Sequence, residues 1–220
     1  MADAAYQRNQ TGVVLIDTVN DFLSEGGKAY PLVKDELARV GVVENLRRLL
    51  ESARERSLPI FFAPMSYTEE DFTTWKHLSG IHKAMYEHRM FEAGSWGADF
   101  HPEIRPRSGE VVVSPHKNID VLATTDLDAQ LRQHGVEYVV AAGMSGTLCV
   151  ESTVRTAMER GYHVTVIKDA TAAVGGAEAY EAMVQLYPMI SHAVLSVDEF
   201  LDAYDASVES AVRGEAVASR

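Results

Sequence analysis

Residues 136–162 read VEYVVAAGMSGTLCVESTVRTAMERGY, and within this stretch the pattern changes from strand-like to helix-like. Its first part, residues 136–142, is apolar and β-branched, which is typical of a buried strand. After Cys149, apolar side chains recur with a helical period, at Val150, Val154, Ala157 and Met158. Cys149 is the only cysteine in the chain of 220 residues. The pattern therefore places this one sulfur where a strand ends and a helix begins.

This position has chemical consequences for Cys149. The first turn of a helix has unpaired N–H groups and carries roughly half of a positive elementary charge, and both favour a thiolate over a thiol. The small residues of the preceding loop allow a tight turn whose N–H groups could face a developing oxyanion. We therefore expect an accessible, ionised sulfur. The alternative is that Cys149 is a small buried apolar residue, as free cysteines often are.

The flanking sequence repeats the alternation of strand and helix. Helix-like segments separate most of the strand-like runs, which are residues 12–17, 58–63, 110–114, 137–142, 163–167 and 191–196. Short apolar strands that alternate with helices predict a parallel sheet covered on both faces, and hence an α/β fold with three layers, α-β-α.

The domain organisation predicted from this pattern is one domain over residues 1–220. An excursion rich in aromatic residues and methionine, residues 65–108, interrupts the alternation between strands two and three. We expect it to cover the active site, to form an oligomer contact, or both. Residues 1–10 and 207–220, approximately, are expected to be frayed.

Composition and charge exclude several classes of protein. The net charge of -12 argues against nucleic acid as a partner, because phosphates would be repelled. The sequence has no long uncharged apolar run, so no membrane span is expected, and its first residues do not resemble a signal peptide. A single cysteine allows no intrachain disulfide, which fits a reducing cytoplasm.

Reactive side chains follow three of the predicted strands. Asp17 ends the first strand, Lys117 follows the third and Cys149 follows the fourth. Parallel α/β sheets bind ligands at the carboxyl ends of their strands, so an acid, a base and a thiol there form a candidate catalytic set. Each also has a simpler interpretation: Asp17 could cap a loop, with Asp21 as a rival, and Lys117 could be a solvated charge.

Two blocks of the sequence resemble a known family. VVLIDTVNDF (13–22) and GMSGTLCVESTVRTAMERGYHVTVIKDATAA (143–173), with the lysine between them, resemble the isochorismatase-like cysteine hydrolase superfamily. Its members include nicotinamidases, N-carbamoylsarcosine amidase, isochorismatase and streptothricin hydrolase. The resemblance covers about residues 12–200, and its most specific part surrounds Cys149. It implies a six-stranded, mainly parallel, Rossmann-like sheet.

The resemblance also implies roles for individual residues. The family's Asp/Lys/Cys triad falls on Asp17, Lys117 and Cys149. A cis peptide bond is implied between Met144 and Ser145. The backbone N–H groups of Ser145 and Cys149 would form an oxyanion hole.

The chain departs from the family pattern in two places. The sequence after the lysine, NIDVLATTDLD, permits a register in which the basic position is offset, and His116 is then the alternative to Lys117. The stretch after the second strand, PMSYTEEDF, has no histidine, so we expect no catalytic metal and no cofactor. His77, His82 and His88 do not share one helical face, and we expect them to be solvated or at an interface.

The function implied by the resemblance is that of a cysteine-dependent hydrolase. Isochorismatases proper lack the cysteine nucleophile, so Cys149 favours cleavage of a C–N bond in an amide, lactam or carbamoyl compound through a thioester. The alternatives are an isochorismatase-type hydrolase of another bond and a non-catalytic oligomeric binding member of the family.

The substrate and the assembly are less defined by the sequence. Candidate walls of a substrate pocket, each of which could instead pack in the core or at an interface, are Phe22, Tyr67, Trp75, Trp96 and Met144. The acidic balance favours neutral or cationic small molecules. A homo-oligomer, a dimer or tetramer, is expected from the family, with residues 65–108 as the candidate contact.

Overall fold

Six parallel strands form one sheet in the computed structural model, which describes the backbone of residues 6–218 and the side chains of residues 6–213. The strands are β1 (Thr11–Ile16), β2 (Ile60–Ala63), β3 (Val111–Val112), β4 (Tyr138–Gly143), β5 (His163–Thr171) and β6 (Ala193–Leu195). The helices are α1 (Asn20–Leu23), α2 (Lys34–Val40), α3 (Val42–Glu55), α4 (Glu69–Thr74), α5 (Gly80–Glu87), α6 (Val121–Thr124), α7 (Leu127–Gln133), α8 (Cys149–Glu159), α9 (Gly176–Leu186) and α10 (Val197–Ala218). Short 3-10 turns occupy Tyr30–Leu32, Trp96–Ala98 and Tyr187–Met189.

The strand order is β3-β2-β1-β4-β5-β6, and every pairing is parallel. Chain order therefore reverses between β1 and β4, which pair over their full length from Thr11 with Tyr138 to Ile16 with Gly143. In open α/β sheets the crevice for a ligand lies at such a reversal, outside the carboxyl ends of the strands. The residues that follow β1 and β4 are therefore the ones expected to line a ligand site.

Helices cover both faces of the sheet, which confirms the predicted three-layer architecture. Successive residues of β5 show this, because their side chains point to opposite faces. Val164 packs with apolar residues of α6, α7 and α8, whereas the Thr165 hydroxyl bonds to Tyr6, whose ring packs against Phe200 of α10. The helix α3 packs beside α10, and its buried side chains are Val42, Leu46, Leu49, Leu50 and Ala53.

The excursion between β2 and β3 contains α4, α5 and the 3-10 turn Trp96–Ala98. Local sequence explains both helices. Thr68 and Asp71 form a reciprocal capping box at the start of α4, and the Ser79 side chain caps α5. Few of their side chains are buried: none in α4, and only His82 and Met85 in α5.

The expectation that the two ends of the chain are frayed stays a prediction. At the first end, Tyr6 is 2% exposed, and its ring packs edge-on against Phe200. At the other end, the helix α10 continues to Ala218, and Arg56 pairs with Asp205, which precedes the stretch expected to be frayed. Residues 1–5 and 219–220 lie outside the described part of the chain.

No helix in the described part of the chain is both long and apolar enough to span a membrane.

Gly143, the last residue of β4, allows a sharp turn into the loop that precedes Cys149. Its φ is +120°, and a Cβ atom there would lie 2.0 Å from the carbonyl oxygen of Ile16. We predict that Gly143→Ala lowers the free energy of unfolding by about 2–5 kcal/mol, because backbone strain and a steric clash add. Denaturant unfolding measures this loss.

Gly94→Ala is the matched control for this substitution. Gly94 also has a positive φ, +78°, but no atom lies within 4 Å of the position of its Cβ. We expect Gly94→Ala to lower the free energy of unfolding by about 1–2 kcal/mol, because only the backbone strain is added. Equal losses in the two variants would show that the contact with Ile16 does not constrain the loop.

Candidate active site

The residues at the reversal of strand order are Asp17 and the loop from Met144 to Cys149. Asp17 directly follows β1 with a left-handed φ of +53°, and its N–H donates to the carbonyl of Ala63 in β2. The loop after β4 is bonded to the same strand, because the N–H of Met144 donates to the carbonyl of Ile16. The predicted cis peptide bond between Met144 and Ser145 is present. The carboxylate and the thiol are thus placed at neighbouring strand ends.

His116 is the direct partner of Asp17. Its Nε2 lies 2.8 Å from Oδ1 of Asp17, and both side chains are fully buried, with 0% exposure. Its Nδ1 lies 2.5 Å from the carbonyl oxygen of Asn118, which can only accept a hydrogen bond. When Asp17 is ionised, both ring nitrogens therefore donate, and the ring is an imidazolium.

The charges around His116 favour this protonated state. Burial alone would lower the pKa of His116, but the charge and hydrogen bond of Asp17, the carbonyl of Asn118 and the charge of Asp120 outweigh it. The net effect raises the pKa of His116 above its ordinary value. The thiol of Cys149, at the start of α8, lies close to both Asp17 and His116.

Lys117, expected beside Asp17, points to a different part of the molecule. Its Nζ donates to Oδ2 of Asp71 at 2.6 Å and to the carbonyl of Ser66. The contact expected between Lys117 and Asp17 is made by His116 instead. The reason is the extended backbone at His116, which pairs in parallel with Met65, because neighbouring side chains of an extended segment point in opposite directions.

The backbone N–H groups of Ser145 and Cys149 face the Cys149 sulfur, and both lower the pKa of its thiol. Burial has the largest effect and the Asp17 carboxylate adds to it, so the pKa of Cys149 is raised well above its ordinary value. Cys149 is 1% exposed. The expectation of an accessible thiolate is therefore wrong for this structure: the sulfur is buried and protonated.

A proton acceptor stands next to this thiol. The donor and acceptor atoms of Asp17, His116 and Cys149 all lie within 4.8 Å of one another. Oδ1 of Asp17 is bonded to His116, whereas Oδ2 is buried and has no hydrogen-bond partner among the described residues. The carboxylate can thus accept a proton from sulfur without losing its bond to the imidazole.

The loop that carries the thiol is held from three sides. The Ser145 hydroxyl oxygen accepts from the N–H of Val174, and the N–H of Gly146 donates to Ala172 at 2.7 Å. The Tyr187 hydroxyl donates to the carbonyl of Gly146. A Cβ atom on Gly146 would lie 2.0 Å from the Met183 sulfur, so this side chain packs directly on the loop. These contacts fix the two N–H groups that face sulfur.

The five candidate pocket residues occupy different environments. Tyr67 is buried near the site, since the charges of Cys149 and Asp17 contribute, after burial, to the raised pKa of its phenol. Phe22 packs on Phe91 in the core, and Met144 is buried within the cis peptide unit. Trp75 is half-buried against His82, whereas Trp96 is 52% exposed. Contact of any of them with a substrate stays a prediction.

The three histidines of the excursion also differ from one another. His77 and His88 are exposed, but His82 is buried, contrary to expectation. Its Nε2 lies 3.2 Å from the carbonyl oxygen of Lys117, and its Nδ1 lies 2.6 Å from the Ser79 hydroxyl. Because a carbonyl only accepts, Nε2 carries the proton and Nδ1 accepts from Ser79. The capping serine could be found from the sequence, but the contact with Lys117 could not.

Asp17, His116 and Cys149 are also the one group of described side chains whose spacing suits a metal ion. However, the 2.8 Å between Nε2 and Oδ1 is a hydrogen-bond distance. Two such ligand atoms on one tetrahedral zinc ion would be about 3.3 Å apart. A proton, rather than a metal, therefore fits between them, and the absence of a catalytic metal stays a prediction.

A carboxylate, an imidazole and a thiol at the ends of three parallel strands, with two N–H groups on the sulfur, define an α/β protein with a cysteine-hydrolase type of site. The family model described as Isochorismatase domain matches residues 11–198. The chain belongs to the isochorismatase family.

Comparisons with individual proteins agree with this assignment. Ureidoacrylate amidohydrolase RutB from Serratia proteamaculans (strain 568) is 26% identical over 208 residues, which cover 89% of this chain and 83% of the relative. The crystal structure of N-carbamoylsarcosine amidase from Thermoplasma acidophilum has a TM-score of 0.68 and 26% identity, and the match covers 86% of this chain and 98% of that one. A cysteine hydrolase from Pseudomonas syringae pv. phaseolicola 1448A shares the fold, with a TM-score of 0.77 at 20% identity and coverage of 92% and 96%.

Proposed function

We propose that the protein is a cysteine-dependent hydrolase that cleaves a C–N bond of a small molecule through a thioester intermediate. The observation that carries the proposal is the environment of Cys149. Its sulfur lies beside the Asp17 carboxylate and in front of the N–H groups of Ser145 and Cys149. Acyl transfer needs a nucleophile, a base and donors for an oxyanion, and these three requirements meet at one atom.

Asp17 acts as the base in the first step. It takes the thiol proton as sulfur bonds to the carbonyl carbon, and the electron pair of the carbonyl moves to oxygen. The N–H groups of Ser145 and Cys149 stabilise this oxyanion, and one such donor is typically worth about 10²–10³ in rate. The raised pKa of Cys149 means that proton transfer accompanies attack rather than precedes it.

Asp17 then acts as an acid. As the oxyanion collapses and the C–N bond breaks, the carboxylic acid returns its proton to the departing nitrogen. Water next attacks the thioester, with Asp17 again accepting a proton, and the thiolate leaves and is reprotonated. The acid product and the resting enzyme result.

His116 supplies the positive charge of the site in place of the lysine that the resemblance implies. Its imidazolium keeps Asp17 oriented and ionised in surroundings that exclude water. Because Asn118 binds the other nitrogen, the ring cannot turn to another partner. We assign His116 to stabilisation of the carboxylate and Lys117 to a role outside the triad.

The proposed substrate class rests on the names of two relatives and on the net negative charge of the chain, which favours neutral or cationic compounds. The names of the RutB and N-carbamoylsarcosine amidase relatives refer to ureido and carbamoyl compounds. We propose that such compounds are the first to test, followed by simple amides and lactams. Assembly into a dimer or tetramer is part of the proposal, with residues 65–108 as the candidate contact, in which Trp96 is 52% exposed.

The direct test is a hydrolysis screen with the wild-type protein and Cys149→Ala. We expect turnover of at least one ureido, carbamoyl, amide or lactam compound, and a loss of at least about 10⁴-fold in Cys149→Ala. Intact-protein mass spectrometry after rapid quenching should show the acyl group on the wild type alone. Unchanged thermal unfolding of Cys149→Ala is the control for folding. Hydrolysis that survives in Cys149→Ala, or neither turnover nor an acyl adduct in the wild type, would contradict the proposal.

The histidine in the triad predicts a particular pH dependence. Folding raises the pKa of His116 above the ordinary value for histidine, about 6.5. The ring is therefore charged, and stabilises Asp17, at pH values below about 6.5. It loses its charge and this effect as the pH rises through the raised pKa. We therefore expect kcat/KM to fall on the alkaline side as His116 deprotonates. In His116→Lys the fall should move up by at least about one pH unit, because lysine holds its proton longer.

His116→Gln is the control for this profile, because it cannot carry a charge. It should be less active at every pH and should lack the alkaline fall assigned to His116. An alkaline limb at the same pH in the wild type and in His116→Lys would assign that limb to another group.

A further inference from the structure

The catalytic groups are closed off from solvent in this structure. Cys149 is 1% exposed, and Asp17 and His116 are not exposed at all. A substrate can reach the sulfur only when part of the chain at this edge of the sheet moves. The segments that could move are those that follow β1, β2, β3, β4 and β5.

The segments after β1, β4 and β5 are fixed by hydrogen bonds, and so is the later part of the segment after β2, which contains Phe91. The fully buried Asp21 carboxylate accepts from the N–H groups of Lys28 and Phe91, at 2.9 and 2.6 Å, and so joins the segments after α1 and α5. A Cβ atom on Gly97 would lie 2.3 Å from this carboxylate, so the Trp96–Ala98 turn packs on it closely. The loops after β4 and β5 are joined by the bond from Gly146 to Ala172.

Residues 68–88, which we call the cover segment, differ from these. The segment contains α4 and α5, whose only buried side chains are His82 and Met85. Its two ends lie side by side, because Tyr67 exchanges backbone hydrogen bonds with Phe91 and Ala93, both at 2.8 Å. A segment with few buried side chains, whose two ends are held together, can open locally while the rest of the fold stays intact.

Lys117 is bonded to both helices of the cover segment, whose Phe72 and Tyr86 rings also pack on Tyr67. The Nζ of Lys117 donates to Asp71 of α4, and its carbonyl oxygen accepts from Nε2 of His82 in α5. The same oxygen accepts from the Tyr67 hydroxyl at 2.9 Å, at the base of the segment. His116 of the triad directly precedes Lys117 in the chain. One residue thus connects both helices of the cover segment to the triad.

The ion pair between Lys117 and Asp71 suits a reversible contact. It is partly exposed, with 30% and 18% of the two side chains accessible. Burial would raise the pKa of Asp71, but the bonds from Lys117 and Thr68 outweigh it and lower the pKa, so the carboxylate stays ionised at neutral pH. A partly exposed ion pair of this kind contributes little energy, which permits opening at a low cost.

We infer that Lys117 is a positioning residue that holds residues 68–88 closed over the Asp17–His116–Cys149 site, and that a substrate enters when this contact opens. The inference rests on the proposed function only in that Cys149 must be the group a substrate has to reach. It assigns Lys117 a role in access, in place of the role in the triad that the sequence suggested.

The test is the rate at which iodoacetamide alkylates Cys149, followed by intact-protein mass spectrometry. Because the chain has one cysteine, an adduct that Cys149→Ala does not form reports on this site. We expect Lys117→Ala and Asp71→Asn to be alkylated about three- to fivefold faster than the wild type, because each removes the same ion pair. Lys117→Arg, which can still pair with Asp71, should stay within about twofold of the wild type.

The matched control is Arg56→Ala. It breaks another ion pair of 2.6 Å, between Arg56 and Asp205, far along α3 and α10 from the site. Its alkylation rate should equal that of the wild type. Measuring all rates from pH 7 to 9 separates access from ionisation, since easier opening multiplies the rate by one factor at every pH, whereas a changed thiol pKa does not.

Three outcomes would overturn the inference. They are unchanged rates in Lys117→Ala and Asp71→Asn, an equal increase in Arg56→Ala, and an increase that vanishes as the pH approaches 9. Alkylation requires no turnover, so a protein that hydrolyses nothing could still show the predicted ratios. Failure of the proposed function and failure of this inference are therefore distinguishable.

Discussion

The hydrogen bond between Nε2 of His116 and Oδ1 of Asp17 is the interaction on which the candidate site depends. Both groups are withdrawn from water, and an ionised carboxylate buried without a partner costs several kcal/mol. The imidazolium offsets this cost, and the second oxygen of Asp17 has no hydrogen-bond partner among the residues that the structure describes. The carboxylate can therefore remain charged, buried and available to the thiol of Cys149 at the same time.

Much of the fold follows from local sequence. Apolar runs locate all six strands, the helical stripe after Cys149 locates α8, and a parallel sheet brings Asp17 and Cys149 to one edge. The short strand β3 and the long strand β5 have bounds that pairing decides, so they differ from the predicted runs. The order of Tyr6 and of α10 likewise depends on packing between distant segments.

The choice between His116 and Lys117 shows where sequence reasoning stops. Both follow β3, and a shift of one residue along an extended segment reverses the direction of every side chain. The pairing of His116 with Met65, which lies in another segment, sets that register. Asp71, the actual partner of Lys117, appears in the sequence as part of a helix cap and gives no sign of its second role.

The state of Cys149 also depends on tertiary structure. A helix start and two facing N–H groups do favour a thiolate, as the sequence indicates, but burial and the Asp17 charge outweigh them. A closed site with a neutral thiol and a charged pair beside it is consistent with a nucleophile that is activated only as it attacks. The cover segment would then exclude water from the thioester until the acyl group is to be hydrolysed.

The protonation state of His116 is the most direct test of Asp17 as the base and His116 as the imidazolium beside it. Nitrogen-15 NMR of the histidine side chains at pH 7, with His116→Gln to assign the signal, distinguishes an imidazolium from either neutral ring. The account predicts that both nitrogens of His116 carry hydrogen, since one faces the Asp17 carboxylate and the other the Asn118 carbonyl. A neutral ring with a bare Nε2 would mean that Asp17 holds the proton, and it would contradict the assignment of Asp17 as the base.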